Sequence, residues 1–257
     1  MAEDNEVRRS APLAGLHAVV TGGGTGLGFA TAKAMCDAGA TVTILGRRAE
    51  KLAQAVEELG SRADCLVADI SATSEVDEIA RQVDAIAPVD ILVNNAGTHH
   101  KQAALETSDA DFERVVATNL FGTFSITRAI AAHMARRNTG SIIMITSMAA
   151  IFGIPLVPAY SASKAALGGL SRQLAVEFGP LGIRVNAIAP GFIETDMNRD
   201  IFRQDPERLE KVLGRTPLGC LGRPEDVAET AVFLASPQAR YLTGVTIPVD
   251  GGTSIGF

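Results

Sequence analysis

The chain is 257 residues long, has a formal net charge of −6, and is 20% charged. A chain of this length can bury one large hydrophobic core, which is typical of a single α/β domain. The negative charge argues against nucleic acid as the main partner, because phosphate backbones bind basic patches. Three widely spaced cysteines, Cys36, Cys65 and Cys220, indicate neither a disulfide framework nor a zinc site.

The amino-terminal residues are polar and charged, so residues 1–12 are interpreted as a flexible tail before one domain spanning residues 13–257. The tail lacks the apolar stretch of a secretory signal, and no later run resembles the ~20 apolar residues of a membrane span. Together with the unpaired cysteines, this pattern predicts a cytoplasmic protein that acts on a small molecule and contacts neither membrane nor nucleic acid.

Short apolar runs alternate with helical patterns along the chain. The predicted strands are Leu16–Thr21, Thr41–Leu45, Cys65–Ala68, Ile91–Val93, Ser141–Thr146, Arg184–Ala189 and Val245–Val249. The predicted helices are Leu27–Gly39, Ala49–Leu59, Ser74–Ala87, Asp109–Arg136, Tyr160–Phe178 and Glu225–Ala235, with an irregular stretch after the sixth strand. Strands that are apolar on both faces indicate a parallel sheet covered on both sides. The sequence therefore predicts a single-domain, Rossmann-type doubly wound α/β fold with ligands at the carboxyl ends of the strands.

A glycine cluster, Thr21–Gly28, joins the first predicted strand to the first helix. Gly22 can take the tight turn, Gly26 leaves room for a pyrophosphate, and Gly28 lets the helix pack against the sheet. The amides at the start of the helix then face the phosphates. Such a cluster can be only a turn, but its place after the first strand favours dinucleotide binding. The predicted phosphate-binding residues are Gly22, Thr25, Gly26 and Leu27.

The spacing of this cluster, TGxxxGxG, resembles the signature of the short-chain dehydrogenase/reductase family. The sequences NNAG at 94–97 and PGFIETD at 190–196 are similar to further motifs of that family. The resemblance extends from Leu13 to Gly252 and implies an oxidoreductase that uses a nicotinamide cofactor. The cofactor-binding residues that it implies beyond the glycine turn are Asp69, Ile70, Asn95, Ile193 and Thr195.

The residues after the second predicted strand indicate which nicotinamide cofactor is preferred. NAD-binding sites of this architecture usually carry a carboxylate there for the ribose hydroxyls. In this chain the position is Gly46, followed by Arg47 and Arg48, whose guanidinium groups can pair with a 2′-phosphate. Alternatively, both arginines only begin a solvated helix. We predict NADP(H) as the preferred cofactor, with NAD(H) as the alternative.

Tyr160 and Lys164 lie four residues apart, which places them one turn apart on the same helix face. Hydride transfer to a carbonyl needs a proton donor, and the reverse reaction needs a base. A nearby ammonium, beside an oxidised nicotinamide, would lower the pKa of the tyrosine and stabilise its phenolate. Ser147, at the end of the fifth strand, can hydrogen-bond the substrate oxygen. Alternatively, Tyr160 and Lys164 are ordinary residues at a helix start.

These residues resemble the Ser–Tyr–Lys arrangement of the short-chain family, whose fourth member is an asparagine on the long helix. Asn119 matches that member, and the resemblance implies that it links the lysine to a chain of water molecules. The predicted catalytic residues are therefore Asn119, Ser147, Tyr160 and Lys164. Tyr160 and Lys164 are also predicted to contact the cofactor.

The segment after NNAG usually shapes the substrate pocket in such folds. The predicted substrate-binding residues are Ser147, His99, His100 and Lys101, since imidazole and ammonium groups can bind a carboxylate. A solvated loop is the alternative. Two adjacent histidines without a third ligand make a poor zinc site, so no metal is predicted. The chain looks similar to gluconate 5-dehydrogenases and deoxygluconate dehydrogenases, which implies a sugar acid or keto-acid as substrate.

Two other functions stay open. The turn at 190–196 is also similar to that of 3-oxoacyl-carrier-protein reductases, although Leu181 stands where those often carry an arginine for the acidic carrier. A catalytically inactive NADP-binding sensor or scaffold is the alternative from a different class, although Tyr160 and Lys164 are both present. The resemblance further implies a homotetramer that pairs the two long helices across one axis and the C-terminal strand across another.

Overall fold

Seven parallel strands form one sheet in the order β3-β2-β1-β4-β5-β6-β7. Their bounds are β1 (His17–Thr21), β2 (Thr41–Gly46), β3 (Ala63–Val67), β4 (Ile91–Asn94), β5 (Gly140–Ile145), β6 (Ile183–Pro190) and β7 (Thr246–Val249). The strand order reverses between β1 and β4, so the loops that follow these two strands open a crevice at the carboxyl edge of the sheet. These coordinates are a computed structural model, which describes residues 11–195 and 205–256.

Helices cover the sheet on both faces. Their bounds are α1 (Gly26–Asp37), α2 (Ala49–Leu59), α3 (Val76–Ile86), α4 (Asp109–Val116), α5 (Thr123–Arg137), α6 (Pro158–Phe178), α7 (Pro206–Arg215) and α8 (Pro224–Ala235). Helices α1, α2 and α8 pack against one apolar core, whereas α3, α5 and α6 pack against the other. The predicted doubly wound α/β fold is confirmed.

Consecutive strand residues are fully buried on opposite faces of the central strands. Val19 belongs to one core and Val20 to the other, and the same holds for Leu92 and Val93. Because side chains alternate across a strand, such runs require apolar layers above and below the sheet. Leu13, where the domain was predicted to begin, is also fully buried. Most of the predicted tail lies outside the described residues.

Two segments differ from the predicted elements. The stretch predicted to be irregular after the sixth strand contains α7, whose first turn is capped by Asp205 accepting a hydrogen bond from the Arg208 amide. The helix predicted over Asp109–Arg136 is interrupted by a π-helical segment, Ala117–Gly122, which joins α4 to α5. Inserted π turns often occur at functional sites, and this one carries Asn119.

The continuous helical segment Asp109–Arg137 is long and apolar enough to cross a membrane by length and composition. Half of its most apolar window is buried inside the fold, where α5 contributes Ile126, Ile130 and Met134 to the core. A core helix of a globular domain satisfies the same criteria, so this segment is weak support for a membrane span.

Candidate active site

The start of α6 holds two of the predicted catalytic residues. Pro158 is the first residue of the helix, a position that suits its fixed φ angle. Tyr160 lies in the first turn, and the Nζ atom of Lys164 lies 5.7 Å from the centroid of its ring. Lys164 is 4% exposed and donates a 2.7 Å hydrogen bond to the carbonyl oxygen of Ile145. The end of β5 therefore holds the ammonium over the tyrosine ring.

Ser147 lies just after the end of β5, near the side chain of Tyr160. Its Oγ accepts a 3.1 Å hydrogen bond from the amide of Ala149 in a 3₁₀ turn, Met148–Ala150. Its side chain is also close enough to the Tyr160 hydroxyl to oppose the rise in the pKa of that tyrosine. The structure thus brings Ser147, Tyr160 and Lys164 together, as the sequence predicts.

Burial shifts the pKa values of both titratable groups toward their neutral forms. It raises the pKa of Tyr160, against the opposing effect of the Ser147 side chain. It lowers the pKa of Lys164 from 10.5 to about 8. At Tyr160 the desolvation of the phenolate outweighs the other effects. The lowered pKa predicted for this tyrosine applies beside an oxidised nicotinamide and stays a prediction.

Asn119 is fully buried in the π-helical segment. Its Oδ1 accepts a 2.8 Å hydrogen bond from the amide of Thr98, and its Nδ2 donates 2.9 Å to the carbonyl of the same residue. Nδ2 also donates 3.0 Å to Ser163 Oγ. A Cβ atom on Gly97 would lie 3.2 Å from Asn119 Oδ1 and 3.6 Å from Lys164 Nζ, so Gly97 separates the two polar groups. Asn119 therefore fixes the loop that follows NNAG.

The segment His99–Lys101 divides into residues with different surroundings. The ring of His99 meets the Tyr160 ring edge-on, with centroids 6.4 Å apart. His100 Nε2 lies 2.7 Å from Gln102 Oε1 and 3.7 Å from Asp111, so His100 belongs to a polar network outside the Ser–Tyr–Lys group. Lys101 is exposed. Of the three predicted substrate residues in this loop, His99 is the one that the structure brings to Tyr160.

A cleft of about 640 Å³ lies where β1, β2 and β4 end. Its lining includes most of the predicted cofactor residues: Gly22, Thr25, Gly26, Leu27, Arg47, Arg48, Asp69, Ile70, Asn95 and Thr195. Tyr160, Lys164 and Ile193, which the sequence also assigns to the cofactor, lie outside that lining. Gly97 does line the cleft and is adjacent to Lys164, so the cleft ends beside the Ser147–Tyr160–Lys164 group.

The glycine turn has the geometry that close approach of a phosphate requires. Gly22 has a φ of +67°, which favours glycine, and its amide donates a 2.7 Å hydrogen bond to the carbonyl of Leu45 in β2. A Cβ on Gly28 would lie 2.2 Å from Gly22 O, so only glycine allows this contact. Thr25 caps α1 without a side-chain cap bond, which leaves amides at the helix start for an anion. These residues fit a dinucleotide.

Three cationic residues surround the end of β2. Arg48 Nη2 lies 3.4 Å from Thr25 Oγ1, and Arg47 Nη1 lies 3.8 Å from Asp69 Oδ2 across the cleft. Lys51, on the first turn of α2, also lines the cleft. Although burial opposes it, hydrogen bonds from Ser71 and the charge of Arg47 hold the pKa of Asp69 below its usual value. The end of β2 therefore presents positive charge to a ligand.

The turn after β6 lies against the segment before α8. Ile193 forms a parallel bridge with Gly222, and the amide of Glu194 donates 2.7 Å to the Gly222 carbonyl. Ile193 is buried, whereas Thr195 reaches the cleft. Asp196, the last residue of the predicted PGFIETD turn, lies outside the described residues. Helix α7 ends at Arg215, whose guanidinium stacks 4.2 Å from the Phe152 ring centroid.

Several residues of the site have no counterpart in the sequence analysis. They are Lys51, Thr98 and Ser163. Lys51 could have been predicted from the sequence, because it follows the Arg47–Arg48 pair by one turn of helix. The others act through contacts between distant parts of the chain. In residues 11–195 and 205–256, no group of three or more His, Cys, Asp and Glu residues is placed to hold a metal ion.

A glycine-lined dinucleotide cleft that ends beside a Ser–Tyr–Lys group defines a nicotinamide-dependent oxidoreductase. The sequence profile described as enoyl-(acyl carrier protein) reductase matches residues 22–254. Galactitol 2-dehydrogenase (L-tagatose-forming) from Cereibacter sphaeroides is 41% identical over 95% of this chain and 96% of its own. The chain belongs to the short-chain dehydrogenase/reductase family.

Other relatives differ in the substrates that they are named for. The 2-dehydro-3-deoxy-D-gluconate 5-dehydrogenase of Bacillus subtilis is 40% identical over 93% of this chain and 95% of its own. A candidate NAD(P)-dependent gluconate 5-dehydrogenase from Beutenbergia cavernae, solved with NADP at low occupancy, superposes with a TM-score of 0.90 at 38% identity, covering 95% and 98% of the two chains. A 3-oxoacyl-acyl-carrier-protein reductase from Thermotoga maritima is 36% identical over 95% and 99%.

Proposed function

We propose that this protein is an NADP(H)-preferring oxidoreductase that interconverts a secondary alcohol and a ketone on a sugar acid or keto-acid. The observation that carries the proposal is the Ser147–Tyr160–Lys164 group at the end of the cleft, with His99 against Tyr160. A carbonyl oxygen bound there would meet two hydroxyl donors and a nearby imidazole. Reduction needs such donors, because negative charge develops on that oxygen.

Each residue of the group has a role that follows from its surroundings. A bound nicotinamide supplies the hydride for reduction and accepts it in oxidation. Ser147 donates a hydrogen bond that orients the substrate oxygen, and Tyr160 donates its phenolic proton to that oxygen. The raised pKa of Tyr160 keeps it protonated, as reduction requires. In the oxidative direction, the buried charge of Lys164 stabilises the phenolate.

The sugar-acid assignment is supported by the charge and placement of the loop after NNAG. His99 reaches the tyrosine, and the exposed Lys101 lies two residues further along the chain. A substrate carboxylate bound near Tyr160 can accept a hydrogen bond from His99. Relatives named for gluconate chemistry support this class, whereas the galactitol relative is named for a neutral polyol.

Replacing His99 with alanine tests this substrate class. We expect the wild type to reduce 5-keto-gluconate with a higher kcat/KM than an acetoacetyl thioester. His99→Ala should raise the KM for the keto-acid about tenfold, the value of one charge-assisted hydrogen bond. His100→Ala is the matched control and should change KM less than about twofold, because His100 bonds to Gln102. Steady-state kinetics on both substrates measure the difference.

The alternative substrate is a 3-oxoacyl thioester on a carrier protein, which the Thermotoga maritima relative favours. Leu181, 38% exposed before the turn into β6, offers no positive charge for an acidic carrier. Robust thioester reduction without keto-acid reduction would reverse the ranking. Tight NADP binding without turnover on any carbonyl would instead support the inactive sensor or scaffold.

The NADP(H) preference is supported by Arg47, Arg48 and Lys51 around the end of β2, where Gly46 leaves no carboxylate. Replacing both arginines with alanine should lower kcat/KM for NADP(H) about 10- to 100-fold and leave that for NAD(H) within about threefold. Arg81→Ala, on the outer face of α3, is the control. A wild-type enzyme that prefers NAD(H) would contradict this proposal.

We propose that the protein is a homotetramer located in the cytoplasm. Its partner is then a small carbonyl or alcohol substrate, and it contacts neither membrane nor nucleic acid. Large apolar side chains exposed on α4, α5, α6 and the π-helical segment support the assembly: Phe112, Phe121, Phe124 and Val176. Packing of these side chains against another copy would remove them from water.

A further inference from the structure

Ser163 is a buried polar residue next to the catalytic lysine that the roles described above do not use. It is 1% exposed. Its Oγ donates a 2.8 Å hydrogen bond to the carbonyl of Tyr160 and accepts 3.0 Å from Asn119 Nδ2. A serine in a helix often donates to a carbonyl one turn earlier, so the first bond alone is ordinary. The second bond joins residues 44 positions apart.

The bond to Asn119 connects two parts of the active site. Asn119 holds Thr98 by two hydrogen bonds, and Thr98 precedes His99, whose ring meets Tyr160. On the other side, Ser163 holds the first turn of α6, which carries Tyr160. The substrate loop and the catalytic helix are thus linked through one buried chain of polar groups, from Thr98 through Asn119 and Ser163 to Tyr160.

We infer that Ser163 is a positioning residue, which fixes the catalytic helix start relative to Asn119 and the substrate loop. Without its hydroxyl, one N–H of the fully buried Asn119 amide loses its acceptor, and the Tyr160 carbonyl loses a donor. A buried donor left without a partner destabilises the arrangement that contains it. Tyr160 and His99 would then sample other relative positions, which lowers turnover. The inference rests on the reaction class within the proposed function.

The chain provides a matched control on the same helix. Ser161 also has a buried hydroxyl, and within the described residues it has no hydrogen-bond partner. Ser161→Ala therefore removes a buried hydroxyl of α6 without breaking the link to Asn119. Ser163→Thr keeps the hydroxyl, since threonine can also donate to a preceding carbonyl in a helix.

Kinetics test the inference with whichever carbonyl substrate the wild type reduces. Ser163→Ala should lower kcat about tenfold, the effect of one displaced buried hydrogen bond, and change the NADP(H) Kd less than about twofold. Ser161→Ala should retain wild-type kcat, and Ser163→Thr should recover most of it. An equal kcat in the two alanine variants would overturn the inference.

A spectroscopic measurement keeps the test independent of substrate. The chain has two tyrosines and no tryptophan, so Tyr241→Phe leaves Tyr160 as the one source of tyrosinate absorbance. In that background, Ser163→Ala should move the Tyr160 pKa toward its ordinary value, because a loosened helix start is less buried. A purely structural role would lower thermal stability and leave this titration unchanged, which would overturn the inference. A wild-type protein without carbonyl reductase activity would contradict the proposed function. The titration of Tyr160 would still test whether Ser163 positions the start of α6.

Discussion

Tyr160→Phe is expected to lower kcat for carbonyl reduction by about 10²- to 10⁴-fold, the contribution of a positioned general acid. In the proposed mechanism the phenolic hydroxyl donates the proton, and the neighbouring Ser147 side chain orients it. The phenylalanine ring would keep its contacts with His99 and Lys164, which involve the ring and not the oxygen. Cofactor binding, measured by fluorescence titration with NADPH, should therefore change little.

Tyr241→Phe is a well-matched control for this prediction. Tyr241, the other tyrosine of the chain, is 97% exposed between α8 and β7, so removal of its hydroxyl should leave kcat at the wild-type value. A Tyr160→Phe variant with most of its turnover would refute the assigned proton donor. Loss of NADPH binding in that variant would point to a role of the tyrosine in the cleft.

The central strands were predictable because they are buried on both faces. Strands β4 and β5 contain runs of consecutive apolar residues, at 91–93 and 142–145, which is the pattern that two covering helix layers impose. Helix α7 was missed although Leu209, Val212 and Leu213 follow helical spacing, because charged residues fill most of its other positions and make the segment polar overall. Its Asp205–Pro206 start was nevertheless a readable signal, since Asp is a preferred cap and Pro a preferred first residue.

The candidate site was predictable where its residues are close in sequence or end a strand. The Tyr160–Lys164 spacing places both on one helix face, and the glycine turn follows β1 directly. The π-helical segment depends instead on tertiary packing: a Cβ on Gly122 would lie 2.6 Å from the carbonyl of Ile70. The direction of the Tyr160 pKa also follows from burial, which residue spacing does not contain.

Lys164→Met is expected to abolish most activity and yet to stabilise the protein at neutral pH. Lys164 is 4% exposed, and burial lowers its pKa from 10.5 to about 8. At about 1.4 kcal/mol for each pKa unit, the folded state is destabilised by about 3 kcal/mol when this ammonium is charged. Methionine has a similar length and no charge. The substitution also leaves the Ile145 carbonyl without its hydrogen-bond donor, which costs about 1 kcal/mol. The free energy of unfolding is therefore expected to rise by about 2 kcal/mol.

The pH dependence of this gain identifies its cause. Below pH 8 the folded and unfolded chains both carry the proton on Lys164, so the full penalty is present. Between about 8 and 10.5, only the unfolded chain keeps that proton, and the stability of the wild type rises with pH. Lys164→Met lacks this rise. Its advantage should therefore be largest at pH 7 and disappear by about pH 10.

Urea denaturation at pH 7 and pH 10, at one fixed protein concentration, measures both effects. Lys33→Met is the control, because Lys33 is exposed on α1 and forms an ion pair with Asp37. That substitution should change the free energy of unfolding by less than about 1 kcal/mol, as is usual for surface ion pairs. A Lys164→Met variant less stable than the wild type at pH 7 would mean that the ammonium stabilises the fold. An inactive but more stable variant would mean that Lys164 is retained for catalysis although its buried charge lowers the stability of the folded protein.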